Sequence, residues 1–325
     1  MWDDLIELLN AHERLLLTTH INPDGDAIGS LVGLGLYLEE LGKTALLVIE
    51  HPVPPMYRFL DPEGSVRQYE PGRDDPEIAA CDMAIVLDVG ALDRVGGLEK
   101  PLRRHEVPIA CIDHHATNNG FADVNIVRPE AASTASLILD LIRSMGHTPS
   151  PRVAEALYVG LATDTGWFRF PNASPQAFRD AAVLVEAGAD VPGVYEAVYE
   201  NHSAASLRLL GLALASLQTD CDGQLAWITL TQAMFEETGA DESETEGIID
   251  HARRLGGAEI LILFRELADG GTRVSLRAKH DLDVAALATR FGGGGHRKAA
   301  GIALDSPPAT TIPTLLAAAR DLLER

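Results

Sequence analysis

The sequence predicts an α/β protein: a doubly wound parallel sheet, a helical linker, and a second, smaller α/β domain. Three observations predict it. Short apolar runs alternate with helical periodicity through the first half of the chain, the pattern of a parallel sheet covered by helices. Helical segments then take over, and the strand and helix alternation restarts near the C-terminus. The length of 325 residues also exceeds what a single core usually serves.

Taken in order, Leu15 to Thr19, Ala45 to Ile49, Met83 to Leu87 and Ile109 to Ile112 read as buried strands, being short apolar runs bounded by polar or turn-forming residues. Ala27 to Leu41, Ser133 to Met145 and Pro151 to Thr163 carry helical periodicity. Pro175 to Ala187, Pro192 to Glu200 and Ala204 to Leu217 are helical with little strand signal. Strands are expected at Leu225 to Leu230, Ile260 to Phe264, Arg273 to Lys279 and Gly301 to Leu304, with helices at Ser243 to Leu255, Val284 to Phe291 and Ile312 to Leu323. The expected domains are 1–190, a helical linker over 191–219, and 220–325.

Composition narrows the function. With 26 basic against 48 acidic residues the formal charge is -22, which argues against tracking a long nucleic acid by phosphate neutralisation. A short anionic substrate remains compatible, since bound cations and a few placed arginines hold anions locally. No apolar run reaches the roughly 18 residues of a membrane span, and the acidic start is unlike a secretory signal. A cytoplasmic location is expected. Cys81, Cys111 and Cys221 are widely spaced and form no Cys-x-x-Cys pattern, so they are expected as buried, reduced thiols rather than a disulfide or zinc framework.

The segment His20-Ile21-Asn22-Pro23-Asp24-Gly25-Asp26 places an imidazole and two carboxylates in a turn where a strand hands over to a helix. In an open α/β sheet that is where sites are built. The alternative is an Asx-rich turn with Asp26 as the helix N-cap and His20 as a strand-end histidine. Asp88 closes a second strand, Asp113-His114-His115 closes a third, and Asp164 follows a helix in Thr163-Asp164-Thr165-Gly166. Alone, each aspartate reads as a cap. Together they bring His20, Asp24, Asp26, Asp88 and His114 to one sheet edge, where so many carboxylates repel one another unless cations intervene. Two metals about 3.5–4 Å apart, bridged by a carboxylate, reconcile them, and that arrangement serves phosphoester hydrolysis. Mixed imidazole and carboxylate donors suit Mn²⁺ better than Mg²⁺, with Zn²⁺ and Co²⁺ left open.

A second constellation is Gly292-Gly293-Gly294-Gly295-His296-Arg297-Lys298-Ala299-Ala300-Gly301. Consecutive glycines allow close backbone approach and present N–H groups, and His296 adds a donor, a combination suited to a phosphate or a terminal nucleotide. Arg277 offers a planar cation for phosphate or base. A glycine run is also read simply as a flexible loop.

These residues resemble the DHH phosphoesterases with a DHH-associated C-terminal domain, over nearly the whole chain and with the motifs in order. The resemblance rests on Asp113-His114-His115, on Gly292 to His296 with Ala299-Ala300-Gly301, on His20 through Ser30, on Asp88 with Asp93-Arg94-Val95-Gly96, and on Asp164-Thr165-Gly166 with Phe168-Arg169. The likeness is strongest to the short bacterial and archaeal type that degrades nanoRNA and dephosphorylates pAp. It implies two Mn²⁺ per active site, one on His20, Asp24 and Asp88, the other on Asp26, Asp88, His114 and Asp164. It gives His115 the scissile phosphate and has Asp113 orient His114. Arg277, Gly293, Gly294, Gly295 and His296 would bind the far end of the substrate across an interdomain cleft. The implied function is two-metal hydrolysis of short oligoribonucleotides to mononucleotides and of pAp to AMP, with no long duplex, no membrane, and a homodimer left open. A cyclic dinucleotide phosphodiesterase acting on c-di-AMP, pApA or pGpG is the nearest alternative. A nucleotide- or RNA-binding protein without catalysis is the alternative from another class. Family II inorganic pyrophosphatases share the metal motifs, but a lysine and arginine clamp would be expected in place of Gly292 to His296.

Overall fold

The computed structural model describes residues 2–104, 107–245 and 247–324. The chain forms two compact units, Met1–Asn201 and His202–Arg325.

In the first unit, α1 (Asp3–Ala11) leads into β1 (Arg14–Thr18), followed by α2 (Gly25–Glu40) and β2 (Thr44–Ile49). Then come β3 (Arg67–Gln68), α3 (Asp75–Ala79), β4 (Met83–Leu87), α4 (Glu99–Arg104), β5 (Ile109–Asp113) and β6 (Val124–Val127). Four helices complete the unit: α5 (Thr134–Ser144), α6 (Pro151–Asp164), α7 (Pro175–Glu186) and α8 (Val191–Tyr199). The strands pair in the order β3-β2-β1-β4-β5-β6, every neighbour parallel. Both faces of this sheet are buried, which explains the unbroken apolar runs. Leu15, Leu17, Ile85 and Leu87 join a core with α2, α5 and α6, whereas Leu16, Val48, Ala84 and Val86 join one on the opposite face. Strand order reverses direction between β1 and β4, so the chain leaves these two carboxyl ends toward opposite sides and opens a crevice there.

Glycine lets α2 come close to α6. A Cβ at Gly29 would stand 2.4 Å from the Ala156 carbonyl oxygen and 2.7 Å from the Gly160 nitrogen, distances no side chain tolerates. This contact sets Asp26, near the start of α2, against the helices that follow β6.

The second unit begins with α9 (Ala204–Ala215), β7 (Gln218–Asp220), β8 (Leu225–Leu230), α10 (Gln232–Thr238) and α11 (Ile248–Ala252). It continues with β9 (Ile260–Glu266), β10 (Thr272–Ala278), α12 (Val284–Thr289), β11 (Gly294–His296), β12 (Ala299–Leu304) and α13 (Pro308–Leu323). The order is β11-β12-β10-β9-β8-β7, parallel only between β8 and β9. One face packs on α12 and α13 through Phe264, Leu276 and Leu315, the other on α9 and α11 through Leu209, Ile228 and Ile249.

Four expectations are corrected. The helical linker over 191–219 is divided: Val194 and Val198 of α8 join the first unit's core, while Leu209 and Ala213 of α9 join a core of the second. The helix expected over Ser243 to Leu255 is broken into a 3₁₀ turn, Glu242–Thr245, and α11, because Gly247 between them takes a left-handed φ of 76°. The glycine run is not simply a loop, since Gly294–His296 is a strand paired with Ala299, Ala300 and Gly301. Cys81 and Cys111 are buried, but Cys221 is only half-buried; all three are free. Among the described residues no helix is long and apolar enough to cross a membrane.

Candidate active site

The carboxyl ends of β1, β4 and β5 deliver the predicted acidic and imidazole groups together. Asp24, not Asp26, caps α2: its carboxylate accepts from the Asp26 and Ala27 backbone N–H groups at 3.1 Å. That leaves Asp26 inside the first turn, buried at 1% exposure, where capping does not explain its charge. Asp26 is held from across the crevice, accepting from the backbone N–H of Thr134 at 2.7 Å and of Ala135 at 3.0 Å, the first turn of α5. Those N–H groups have no partner within their own helix, and the helix dipole favours an anion there. Asp88 follows β4 with a left-handed φ of 59° and is 3% exposed. Its Oδ1 accepts from the Thr134 hydroxyl at 2.9 Å. Asp164, the last residue of α6, accepts from Asn172 Nδ2 at 3.0 Å.

Two sets of donors result, and Asp88 reaches both. In the first, His20 Nε2 lies 3.5 Å from Asp88 Oδ2 and 3.9 Å from Asp24 Oδ1. In the second, His114 Nε2 lies 3.6 Å from Asp88 Oδ1, 3.8 Å from Asp164 Oδ2 and 3.9 Å from Asp26 Oδ2. The ligand atoms of His20, Asp24 and Asp88 lie within 4.8 Å of one another, as do those of Asp26, His114 and Asp164 and those of Asp88, His114 and His115. These separations exceed good hydrogen bonds and match the spacing of donors around a shared cation.

Electrostatics point the same way. Burial, then the Asp88 and Asp164 charges, raise Asp26 well above the usual carboxylate range, and burial with Asp88 and Asp24 pushes Asp164 up to about 7. Burial also opposes the charge on Asp88, but the neighbouring His20, His114 and His115 outweigh it and hold that carboxyl low. Uncompensated carboxylates at this density are costly, and divalent cations are the natural remedy. The donor set, imidazole with carboxylate oxygen, therefore fits a pair of such ions on chemical grounds.

His115 differs from the other two histidines in exposure and in its partner. Its ring is 36% exposed, against 14% and 15% for His20 and His114. The nitrogen nearest the cluster, Nδ1, lies 3.6 Å from Asp88 Oδ1 but is engaged by Asp113 Oδ1 at 2.7 Å. Asp113, fully buried, also accepts from the His115 backbone N–H at 3.1 Å and from Asn118 Nδ2 at 2.7 Å. The hydrogen bond to Asp113 pushes His115 up to about 9, and Nε2 is left free of that bond. Asp113 thus orients His115 rather than His114, a correction of the expected role. The cause is local: the strand-to-loop bend returns the His115 backbone N–H and ring to the carboxylate two residues earlier.

Thr134, Asn118 and Asn172 were not anticipated from the sequence. The partners of Thr134, Asp26 and Asp88, are remote in the chain, and neutral polar residues carry no motif of their own. Arg94 and Arg169 are exposed; the Arg94 carbonyl accepts from Ile21 N–H at 2.7 Å, and Arg169 Nε donates to the Gly166 carbonyl at 2.6 Å.

In the second unit, Arg273, Ser275 and Arg277 alternate with buried Val274, Leu276 and Ala278 along β10. Arg277 is held loosely, with a 3.2 Å bond from Nη1 to the Leu276 carbonyl and Nε 4.0 Å from Asp250. Ladder register aligns Arg277 with Ala299 and Ala299 with His296, so the backbones of the three residues form one row; the side chain of His296 lies outside the described residues. The glycines have an internal reason as well. A Cβ on Gly293 would meet the Gly301 carbonyl at 2.2 Å, and Gly295 has φ of 142° with its Cβ position 2.6 Å from Ala299 O.

Comparison with known proteins adds three kinds of likeness. Residues 14–161 match the model of the DHH family, N-terminal domain, and residues 226–325 that of the DHHA1 domain. The chain is 32% identical over 304 residues to the bifunctional oligoribonuclease and PAP phosphatase NrnA of Thermus thermophilus, covering 92% of this chain and 86% of that one. Its identity to the Bacillus subtilis protein of the same name is 25%, covering 94% of each. A crystal structure of an exopolyphosphatase-related protein from Bacteroides fragilis superposes with a TM-score of 0.92 at 26% identity, over 99% of this chain and 95% of that one.

Proposed function

The chain belongs to the DHH family of phosphoesterases, and on that premise we propose that it hydrolyses short oligoribonucleotides to mononucleotides and pAp to AMP, using two Mn²⁺ ions. The observation that carries this proposal is the pair of donor sets sharing Asp88, in a chain similar over nearly its full length to proteins named for these activities. On this proposal His20, Asp24 and Asp88 hold one ion and Asp26, His114, Asp164 and Asp88 the other. Two such ions supply Lewis acidity and water activation at a phosphoester.

The protein's own groups do the rest. His115, held by Asp113, donates to the phosphoryl oxygens and offsets their charge as it grows toward the transition state. Asn118 keeps Asp113 aimed at His115, and Asn172 keeps Asp164 in place. Arg277, with a guanidinium only weakly engaged by its own chain, binds the nucleotide distant from the reacting phosphate, and Gly293 to His296 complete that subsite. The net charge of -22 fits a substrate too short to require phosphate tracking. A cytoplasmic setting suits the free, buried Cys81 and Cys111.

The test is a comparison of pAp, an RNA dinucleotide, pGpG and c-di-AMP after exhaustive chelation and again after adding Mn²⁺ or Mg²⁺. Chelation is expected to abolish turnover and Mn²⁺ to restore it above Mg²⁺, with pAp and the RNA dinucleotide ahead of c-di-AMP. Turnover that survives chelation contradicts the two-cation mechanism, and preference for c-di-AMP moves the assignment to a cyclic dinucleotide phosphodiesterase.

Arg277→Ala gives a second test. It should lower kcat/KM on the RNA dinucleotide by on the order of 10-fold or more while leaving bis-p-nitrophenyl phosphate nearly unchanged, because remote binding energy helps only a substrate that reaches the remote site. A matched fall on both would place Arg277 at the reacting phosphate or in the fold.

A further inference from the structure

Thr134 touches two of the site's carboxylates, Asp26 and Asp88. It is fully buried at the first position of α5, with Ser133 as N-cap accepting from the Ser136 backbone N–H at 3.1 Å. Its backbone N–H donates to Asp26 Oδ2 at 2.7 Å and its hydroxyl to Asp88 Oδ1 at 2.9 Å. One residue thus ties the first turn of α2 to the residue that follows β4.

Asp88 needs such a restraint. A carboxylate turns about a broad, two-fold terminal torsion, so its two oxygens are not distinguished by the side chain itself. The imidazoles around it stand at 3.5 Å (His20) and 3.6 Å (His114 and His115), too far to fix the rotation by strong hydrogen bonds. The Thr134 hydroxyl, at 2.9 Å, makes a charge-assisted bond that does fix it. Oδ1 is drawn toward His114 and Oδ2 is left toward His20. Threonine is suited to the task because its branched Cβ restricts χ1 and limits where the hydroxyl points.

We propose, on the two-cation function set out above, that Thr134 is a positioning residue that assigns the two oxygens of Asp88 to the two donor sets and registers Asp26 against the same set as His114. It touches neither substrate nor reacting atoms. Removing a group that orients a metal-ligating side chain typically costs about 10- to 100-fold in metal affinity or activity, and that scale is expected here.

The experiment titrates the metal-free, full-length protein with MnCl₂ by calorimetry, records the visible spectrum with Co²⁺, and measures thermal unfolding without metal. Wild type is expected to take up two ions. Thr134→Val keeps the volume and the backbone N–H to Asp26 but loses the hydroxyl; at least one of its binding steps should weaken by about 10- to 100-fold and the Co²⁺ spectrum should change. Thr134→Ser restores the hydroxyl and should return affinity and spectrum close to wild type. If the valine protein does not fold, Thr134→Ala, which removes the hydroxyl without adding a second methyl, is compared with serine instead.

Two ions bound with wild-type affinity in the valine variant, with a lower unfolding temperature alone, would make Thr134 a structural residue and overturn the inference. So would a serine variant as impaired as valine. A wild-type protein that binds no divalent cation would instead remove the two-cation function itself.

Discussion

Asp88→Asn should release both cations and lower kcat/KM by on the order of 10³-fold or more, since a single charge-stabilising donor is already worth 10²–10³ and Asp88 supports two ions. Asparagine is the informative substitution. Asp88 sits at φ 59°, a conformation that asparagine accepts at little cost and alanine does not, so alanine would mix backbone strain with lost ligation. The amide also keeps the side-chain size between His20 and His114, leaving the charge as the main change. Asp164→Asn provides the contrast, because Asp164 approaches His114 and not His20. It should weaken one ion and spare the other. Metal analysis of the purified variants decides: two tightly held ions in Asp88→Asn would show that the carboxylate is not shared.

What made this site legible was the coincidence of strand ends with titratable residues. His20, Asp88 and Asp113 each close an apolar run, and a parallel sheet brings such ends to one edge whatever the loops do. The burial of both faces follows from the same runs. Less legible was the identity of the N-cap, because Asp24 and Asp26 are equivalent as cap formers. The choice fell to Asp24 once the first turn of α5 had claimed Asp26. That claim spans 108 residues of sequence and leaves no local trace. The same holds for Thr134 on Asp88, 46 residues away: a neutral hydroxyl becomes meaningful only when a tertiary contact gives it a charged partner.

Short edge strands were missed for another reason. Arg67–Gln68 is two polar residues and Val124–Val127 a four-residue stretch interrupted by Asn125, too brief for an apolar run to announce, and pairing with β2 and β5 defines them. In the glycine run, composition signalled backbone freedom without saying how it would be used. Pairing of Gly294 to His296 with Ala299 to Gly301 uses it for a tight hairpin, with no room for a side chain on Gly293 against the Gly301 carbonyl.

His115→Ala should separate phosphate contact from metal ligation. In the donor sets built on His20 and His114, the ring nitrogen near the carboxylates has no short bond to another side chain; in His115 that nitrogen is held by Asp113 at 2.7 Å. With Nδ1 held by Asp113, Nε2 of this more exposed ring is the nitrogen left for a phosphoryl oxygen, and on the proposed function it serves there as a donor. The alanine variant is therefore expected to retain two Mn²⁺ ions while kcat falls by about 10²-fold, the scale of losing one transition-state charge stabiliser, with a smaller change in KM. Asn118→Ala should follow in the same direction with a smaller loss, because it leaves the His115 to Asp113 bond in place and removes the 2.7 Å donor on the other oxygen of that carboxylate, along with the bonds to the Val89 carbonyl and from the Gly120 N–H. Metal content and steady-state kinetics measured on the same preparations distinguish the cases. Loss of an ion from His115→Ala would make His115 a ligand, and the charge near the phosphoryl oxygens would then have to come from elsewhere in the chain.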